Sequence, residues 1–250
     1  MKPSNNKMET KSENCTVLSD HCSLLTELIF PKICLLCQSA KIDDYADIFC
    51  SECLKEQPAD IINPCQICGG QNDTILMSCQ ECLDASHPWS EGRTLKAYRK
   101  SHKKAIHLFK YSKQLQVGQL FIAELLKSEK SYIQDCDLIT YVPLHGFKYL
   151  FRGFNQAHYI ARGLAQKLEK DCPKLLARHK WTSSQTKLNR KQRLENNLAV
   201  FKAVNKDKIK DKTILLVDDV MTTGATMHAC ASKLLEAGAV DIKILTLARG

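Results

Sequence analysis

Nowhere in this 250-residue chain does an uncharged apolar run approach the ~20 residues that a membrane-spanning helix requires. The opening stretch, M-K-P-S-N-N-K-M-E-T-K-S-E-N, mixes charges and lacks an apolar segment, so the pattern of a secretory signal is missing. There is no G-x-x-x-x-G-K-[ST], which removes the Walker route to phosphate binding. Acidic residues are absent from two long stretches. Gly92–Ala123 carries eight Lys/Arg and no Asp or Glu; Lys174–Arg193 carries seven and again none. The formal charge of +9 favours acidic partners, nucleic acid or phosphorylated ligands. Thirteen cysteines would suit a small disulfide scaffold, but the missing signal and the cysteine spacing argue against one and for a cytoplasmic protein.

What is present begins with those cysteines. Eight of them form four C-x-x-C pairs: Cys34/Cys37, Cys50/Cys53, Cys65/Cys68 and Cys79/Cys82, separated by twelve, eleven and ten residues. Each C-x-x-C knuckle aims two thiolates at one ion, and two knuckles complete a tetrahedral Zn²⁺ site. Four knuckles predict a double zinc ribbon. Sequential pairing is simplest; an interleaved pairing and an iron–sulfur cluster also satisfy four thiolates. The site is expected to be structural, because thiolates fill every position and leave none for water. Gly69-Gly70 supplies a tight turn after Cys68. Cys15, Cys22, Cys136, Cys172 and Cys230 stand apart from this spacing and read as tail or small buried residues.

The chain is organised around Thr213–Thr226, T-I-L-L-V-D-D-V-M-T-T-G-A-T. Ile214–Val217 is the pattern of a strand buried on both faces of a parallel sheet. Asp218 and Asp219 follow at its C-terminal end, where open α/β sheets bind ligands. Met221, Thr222, Thr223, Gly224, Ala225 and Thr226 then lead into a helical pattern, Met227–Ala237. Hydroxyls, a close-approach glycine and a helix N-terminus together suit a phosphate. Two adjacent acids beside it make sense if they grip sugar hydroxyls or a Mg²⁺ bridging the ligand's phosphates. A ligand with a 5′-phosphate and a ribose diol fits.

This stretch resembles the phosphoribosyl-pyrophosphate (PRPP) signature of type I phosphoribosyltransferases across Ile214–Thr226. V-P-L-H and R-G-F-N-Q-A, at Val142–His145 and Arg152–Ala157, resemble the ComF/GntX-type competence and DNA-utilisation proteins, in which a zinc ribbon precedes a phosphoribosyltransferase domain. The resemblance covers about residues 28–250. It implies an α/β fold, a parallel sheet flanked by helices, after a small zinc module. The expected division is 1–27 as a disordered tail, 28–90 as the double zinc ribbon, and 91–250 as the phosphoribosyltransferase-like domain including a basic helical connector at 92–127.

The resemblance also implies roles. Asp218 and Asp219 would hold the ribose 2′- and 3′-hydroxyls, and Met221–Thr226 would cradle the 5′-phosphate. The Pro143–Lys148 loop would face the pyrophosphate, with Lys148 and Arg152 as PRPP-binding cations and Asn155 and Gln156 lining the same mouth. The family places a basic residue soon after P-L-H, whereas Gly146 and Phe147 precede Lys148 here. Gln185, Leu188, Arg193 and Asn197 resemble the family's Q-x-x-L…R…N pattern, in a region where a flexible loop closes over pyrophosphate. Arg190, Lys191 and Arg193 are its candidates for neutralising leaving-group charge.

Leu95, Tyr98, His102, Ala105, Ile106 and Phe109 recur at three and four, predicting an amphipathic helix, with a second over Leu115–Leu126. Arg99, Lys100, Lys103, Lys104 and Lys110 are the nucleic-acid candidates there; a solvated helical face is the plainer reading. Strands are expected at Asp137–Val142 and Val240–Leu247, and a helix at Gln156–Lys170. Two functions follow. The first is natural transformation, taking single-stranded DNA into the cytoplasm beside a competence helicase and an inner-membrane channel, with PRPP or a related phosphosugar bound. The alternative is a Mg²⁺-dependent phosphoribosyltransferase acting on a small-molecule acceptor in nucleotide metabolism, for which no general base stands out beyond His145.

Overall fold

The computed structural model describes residues 33–38, 42, 48–74, 76–144, 146–178 and 200–250. The expected tail at 1–27, Cys15, Cys22, His145, and the loop residues Gln185, Leu188, Arg190, Lys191, Arg193 and Asn197 lie outside them. The chain divides into two compact units, Met1–Leu54 and Lys55–Gly250. The division therefore falls between the two pairs of knuckles.

In the first unit, the Leu35 N–H donates to the Ile48 carbonyl at 3.0 Å and joins the first two knuckles. Gln38, at φ 58°, closes the first knuckle with its N–H on the Cys34 carbonyl, 2.8 Å away. A short helix, α1 (Ser51–Lys55), starts directly after Cys50 and buries Cys53.

The second unit opens with the other knuckle pair and α2 (Gln80–Leu83). A four-stranded parallel sheet follows, in the order β1-β6-β5-β2. Its strands are β1 (Glu91–Ala97), β2 (Leu138–Tyr141), β5 (Thr213–Met221) and β6 (Asp241–Arg249). Between β1 and β2 run α3 (Lys100–Tyr111), α4 (Leu115–Ser128) and α5 (Lys130–Gln134). Next come α6 (Gly146–Arg152) and α7 (Gln156–Lys167), then a separate antiparallel pair, β3 (Leu176–Arg178) and β4 (Phe201–Ala203). The last crossover is α8 (Ala225–Glu236).

The two central strands are apolar because both faces are covered. Ile214, Leu215, Leu216 and Val217 on β5, and Ile242, Ile244, Leu245 and Leu247 on β6, are all buried. Alternation sends Ile214 and Leu216 into one cluster with Met227, Ala231 and Leu234 of α8. Helix α7 packs against β2 and β5. Among the described residues no helix is long and apolar enough to cross a membrane.

Two expectations change. The periodic pattern beginning at Leu95 predicts one helix, but Leu95 belongs to edge strand β1 and the helix starts at Lys100. Strand pairing outweighs helical spacing there: Thr94 pairs with Thr246 in register, and their hydroxyls lie 2.9 Å apart in the buried interior. His102, Ala105, Ile106 and Phe109 remain the buried face of α3. The central strand is also longer than the apolar run suggests. Pairing with β6 continues through Asp218, Val220 and Met221, so both acids lie within the strand rather than after it.

The second knuckle pair is part of the sheet unit's core. Cys65, Cys68, Cys82 and Trp89 share one cluster with Ile244, Met221, Met227 and Cys230. The Gly92 N–H donates to Gln66 O at 2.7 Å, the Thr94 hydroxyl to Cys68 O at 3.0 Å, and the Trp89 indole N–H to Ile67 O at 2.7 Å. Gly69 has φ 68°, and a Cβ there would lie 2.4 Å from the Thr94 nitrogen. The turn is thus pressed onto β1 so closely that only glycine fits. Serine at Cys68 is expected to lower the melting temperature of the sheet unit by ~5 °C or more, since structural metal sites carry folding energy. Serine at Cys37 should leave that transition in place. Calorimetry alongside metal content of each variant checks both.

Candidate functional site

The C-terminal ends of the parallel strands form the site. From Met221 the chain turns through Thr222 and Thr223 to Gly224, whose φ of 73° places it in the left-handed region as the residue preceding α8. Glycine adopts that conformation without strain. The turn, with Asp218, Val220 and Met227, lines a small open cleft. The first amides of α8 have no intrahelical acceptors and face the region where the helix dipole favours an anion. The Thr223 hydroxyl accepts the Ala225 N–H at 3.5 Å. Behind the turn, Trp89 makes an edge contact with His228, ring centroids 6.4 Å apart, and closes the space above Gly224.

Strand alternation separates the acid pair. Asp218 follows Ile214 and Leu216 onto the α8 face and lines the cleft. Asp219 takes the opposite face, where Lys110 Nζ lies 2.9 Å from Oδ1 and Arg152 Nη1 4.0 Å from Oδ2. These three side chains are largely buried, with 12, 14 and 15% exposure for Lys110, Arg152 and Asp219. Arg152 also donates to Gln156 Oε1 at 3.2 Å and stacks 5.2 Å from the Tyr111 ring centroid. Gln156 Nε2 donates to the Lys110 carbonyl at 3.4 Å.

Asp218 is held in a crowded, dehydrated position that raises its carboxyl pKa to about 7, with the Asp219 charge adding to the effect. The Asp219 N–H, donated to Asp218 Oδ1 at 2.8 Å, and the Lys110 and Arg152 charges oppose it. A folded-state pKa above the unfolded value means that ionisation costs stability as pH rises from ~4 toward 7. Asp218→Asn should therefore melt a few degrees higher than wild type at pH 8, with the gain vanishing near pH 4. Melting curves across that range check the sign.

Both tetrads fit a tetrahedral ion. The four sulfurs of Cys34, Cys37, Cys50 and Cys53, and those of Cys65, Cys68, Cys79 and Cys82, lie within 4.8 Å of one another in each group. Cys37 and Cys50 sulfurs are 3.8 Å apart, and Cys68 and Cys79 sulfurs 3.9 Å. Zn–S bonds of ~2.3 Å in a tetrahedron demand S···S separations near ~3.8 Å. The grouping is sequential, which the spacing left open, and each group could hold zinc.

Other expected site residues are distributed as follows. Met221, Thr222, Thr223, Gly224, Ala225 and Thr226 all line the cleft with Asp218. Arg152 joins Asp219 instead of the phosphate turn. Lys148 lies on α6, and its side chain is outside the described set. Asn155 is buried as a scaffold residue: its Nδ2 donates to Val142 O at 3.0 Å and its Oδ1 accepts the His158 N–H at the start of α7. Arg99, Lys100, Lys103 and Lys104 are exposed around the start of α3. Lys110, one residue from the end of that helix, points into the site. Its helical spacing from Phe109 and Tyr111 carries no sign of this.

The phosphoribosyl transferase domain family matches residues 155–250. The chain is 30% identical to Competence protein ComFC of Streptococcus pneumoniae over 203 residues, 80% of each protein. It is 29% identical to Competence protein F of Haemophilus influenzae, over 80% of this chain and 90% of that one. With DNA utilization protein YhgH of Escherichia coli it shares 27% over 89% of this chain and 99% of that one. Among solved structures, an allosteric regulatory enzyme of purine biosynthesis aligns at 17% identity with a TM-score of 0.34, over 59% of this chain and 26% of that one.

Proposed function

The chain belongs to the ComF family of competence and DNA-utilisation proteins, and from that premise we propose that it is a cytoplasmic factor of natural transformation that binds Mg²⁺-PRPP, or a similar phosphosugar, and handles incoming single-stranded DNA. The observation that carries the phosphosugar half is the pairing of a hydroxyl-lined helix N-terminus with two strand-borne carboxylates beside two cations. The 5′-phosphate is received by Thr222, Thr223, Thr226 and the amides of α8. Asp218 meets the ribose hydroxyls from the cleft side. Carboxylate oxygens suit Mg²⁺, so Asp218, which lines the cleft, fits as its protein donor; bound there, the ion would neutralise phosphate charge. Burial of Arg152 and Lys110 keeps their charges little screened, which strengthens their pull on an anion.

Titration calorimetry with Mg²⁺-PRPP tests this reading. Wild type should bind, and the Asp218→Asn/Asp219→Asn double variant should lose at least about tenfold in affinity. A folded wild type giving no heat overturns the phosphosugar reading.

Turnover is the second reading, supported by Asp218's raised pKa, a perturbation that marks functional carboxyls. Pyrophosphate release from PRPP with added acceptors tests it.

The DNA half draws on Arg99, Lys100, Lys103 and Lys104, exposed and gathered at three- and four-residue spacings beside Tyr98. Charge reversal at these four should weaken single-strand binding and flatten its log–log salt slope by ~0.7 per lost phosphate contact. An unchanged slope removes this surface from the DNA path.

A further inference from the structure

We propose that Lys110 is a pyrophosphate-binding residue of the phosphosugar site, held on Asp219 with Arg152 until the ligand arrives. The inference rests on the phosphosugar reading and adds to it a residue from α3, outside the Pro143–Lys148 loop and the phosphate turn.

The argument starts from charge. Lys110 and Arg152 converge on one carboxylate, each facing a different oxygen, and all three side chains are largely buried. Asp219 alone cannot neutralise two cations. The meeting point of α3, α6 and β5 therefore holds surplus positive charge where water screens it poorly, an arrangement that attracts a multivalent anion.

Position decides which anion. The phosphate turn and Asp218 occupy the α8 face of β5, and Lys110 and Arg152 occupy the opposite face, with the acid pair between them. A ligand whose ribose lies over the acid pair and whose 5′-phosphate fills the turn extends its other substituent toward the cations. In PRPP that substituent is pyrophosphate.

Arg152 is oriented from behind. Gln156 accepts from it through Oε1 and ties to the backbone carbonyl of Lys110 through Nε2, while Tyr111 stacks on the guanidinium. This bracing fixes the direction of Arg152, while Asp219 alone positions the Lys110 ammonium, and preorganisation of this kind makes anion binding strong. Transfer of both cations from Asp219 to pyrophosphate would also free Asp219 for the ribose or the ion. The empty site thus keeps its second carboxylate covered until an anion displaces it.

The test compares wild type, Lys110→Ala, Lys110→Arg, Asp219→Asn and Asp219→Asn/Lys110→Ala by calorimetry with Mg²⁺-PRPP, inorganic pyrophosphate and ribose 5-phosphate, and with an oligothymidylate. Lys110→Ala should weaken PRPP and pyrophosphate by about tenfold or more and leave ribose 5-phosphate within about twofold, with Lys110→Arg restoring most of the loss. Asp219→Asn should strengthen pyrophosphate binding severalfold by releasing the cations, and the double variant should cancel that gain. Equal loss of ribose 5-phosphate and pyrophosphate would reduce Lys110 to a support for Asp219 and overturn the assignment. Loss confined to the oligothymidylate would place Lys110 in a DNA footprint and overturn it too. A wild type that binds neither PRPP nor pyrophosphate overturns the phosphosugar reading and this assignment together.

Discussion

The strand β5 must be buried on both faces and still deliver two carboxylates to its end, and the rest of the sheet unit follows from that requirement. Ile214–Val217 has no exposure to spare. It is hydrogen-bonded to β2 on one side and β6 on the other, while α7 and α8 contribute to its cover. Such a strand is held too firmly to shift by a residue, because a one-residue slip would exchange its faces. Asp218 and Asp219 inherit that rigidity. Since pairing with β6 runs on to Met221, they point to opposite sides, one toward the phosphate turn and one toward Lys110 and Arg152. Two like charges next to each other in sequence are thereby partly relieved in space, and each is supplied with a different environment.

The second cysteine tetrad belongs to the same argument. A zinc knuckle joined by a mobile linker would be a docking module; this one is pressed against β1 through Gly69, Gly92 and Thr94 and shares its core with Met221 and Met227. Trp89 spans the distance, its indole N–H on Ile67 O and its ring above the Gly224 turn. The packing around Cys65, Cys68 and Cys82 therefore runs without a break to the Thr222–Gly224 turn through Trp89 and Met221. The first tetrad lies in the other unit.

Much of this was legible because it depends on local pattern. The C-x-x-C spacing announces four knuckles, and the I-L-L-V-D-D run followed by T-T-G-A-T announces strand, acids, turn and helix in order. The strand at β2 and the helix at α7 emerge within a few residues of their expected limits. What resisted reading depends on distant partners. Leu95 matches a helical period with residues that follow it, yet Thr246 and the Cys68 knuckle, far away in sequence, claim its segment for a strand. Asp219 looks like the twin of Asp218 until the register with β6 assigns them opposite faces. Lys110 looks like one more surface cation in an acid-free stretch. Only the folding of α3 against the sheet end brings its ammonium to Asp219.

That last case explains why net charge was a poor guide to where the chemistry lies. The surplus of +9 is spread over many side chains, and several in the basic connector are already occupied: Lys96 on Asp60, Arg93 on Glu91 and Glu129. Each of these cations already has a carboxylate of its own, with Asp60 exposed and Glu91 and Glu129 half-buried. Lys110 and Arg152 differ in sharing a single, largely buried carboxylate, with Arg152 oriented by Gln156 and Tyr111. Two buried cations sharing one anion are costly to maintain without a further partner. This imbalance of two cations on one carboxylate beside the Thr222–Gly224 turn, more than the overall charge, distinguishes a candidate binding site from a basic surface.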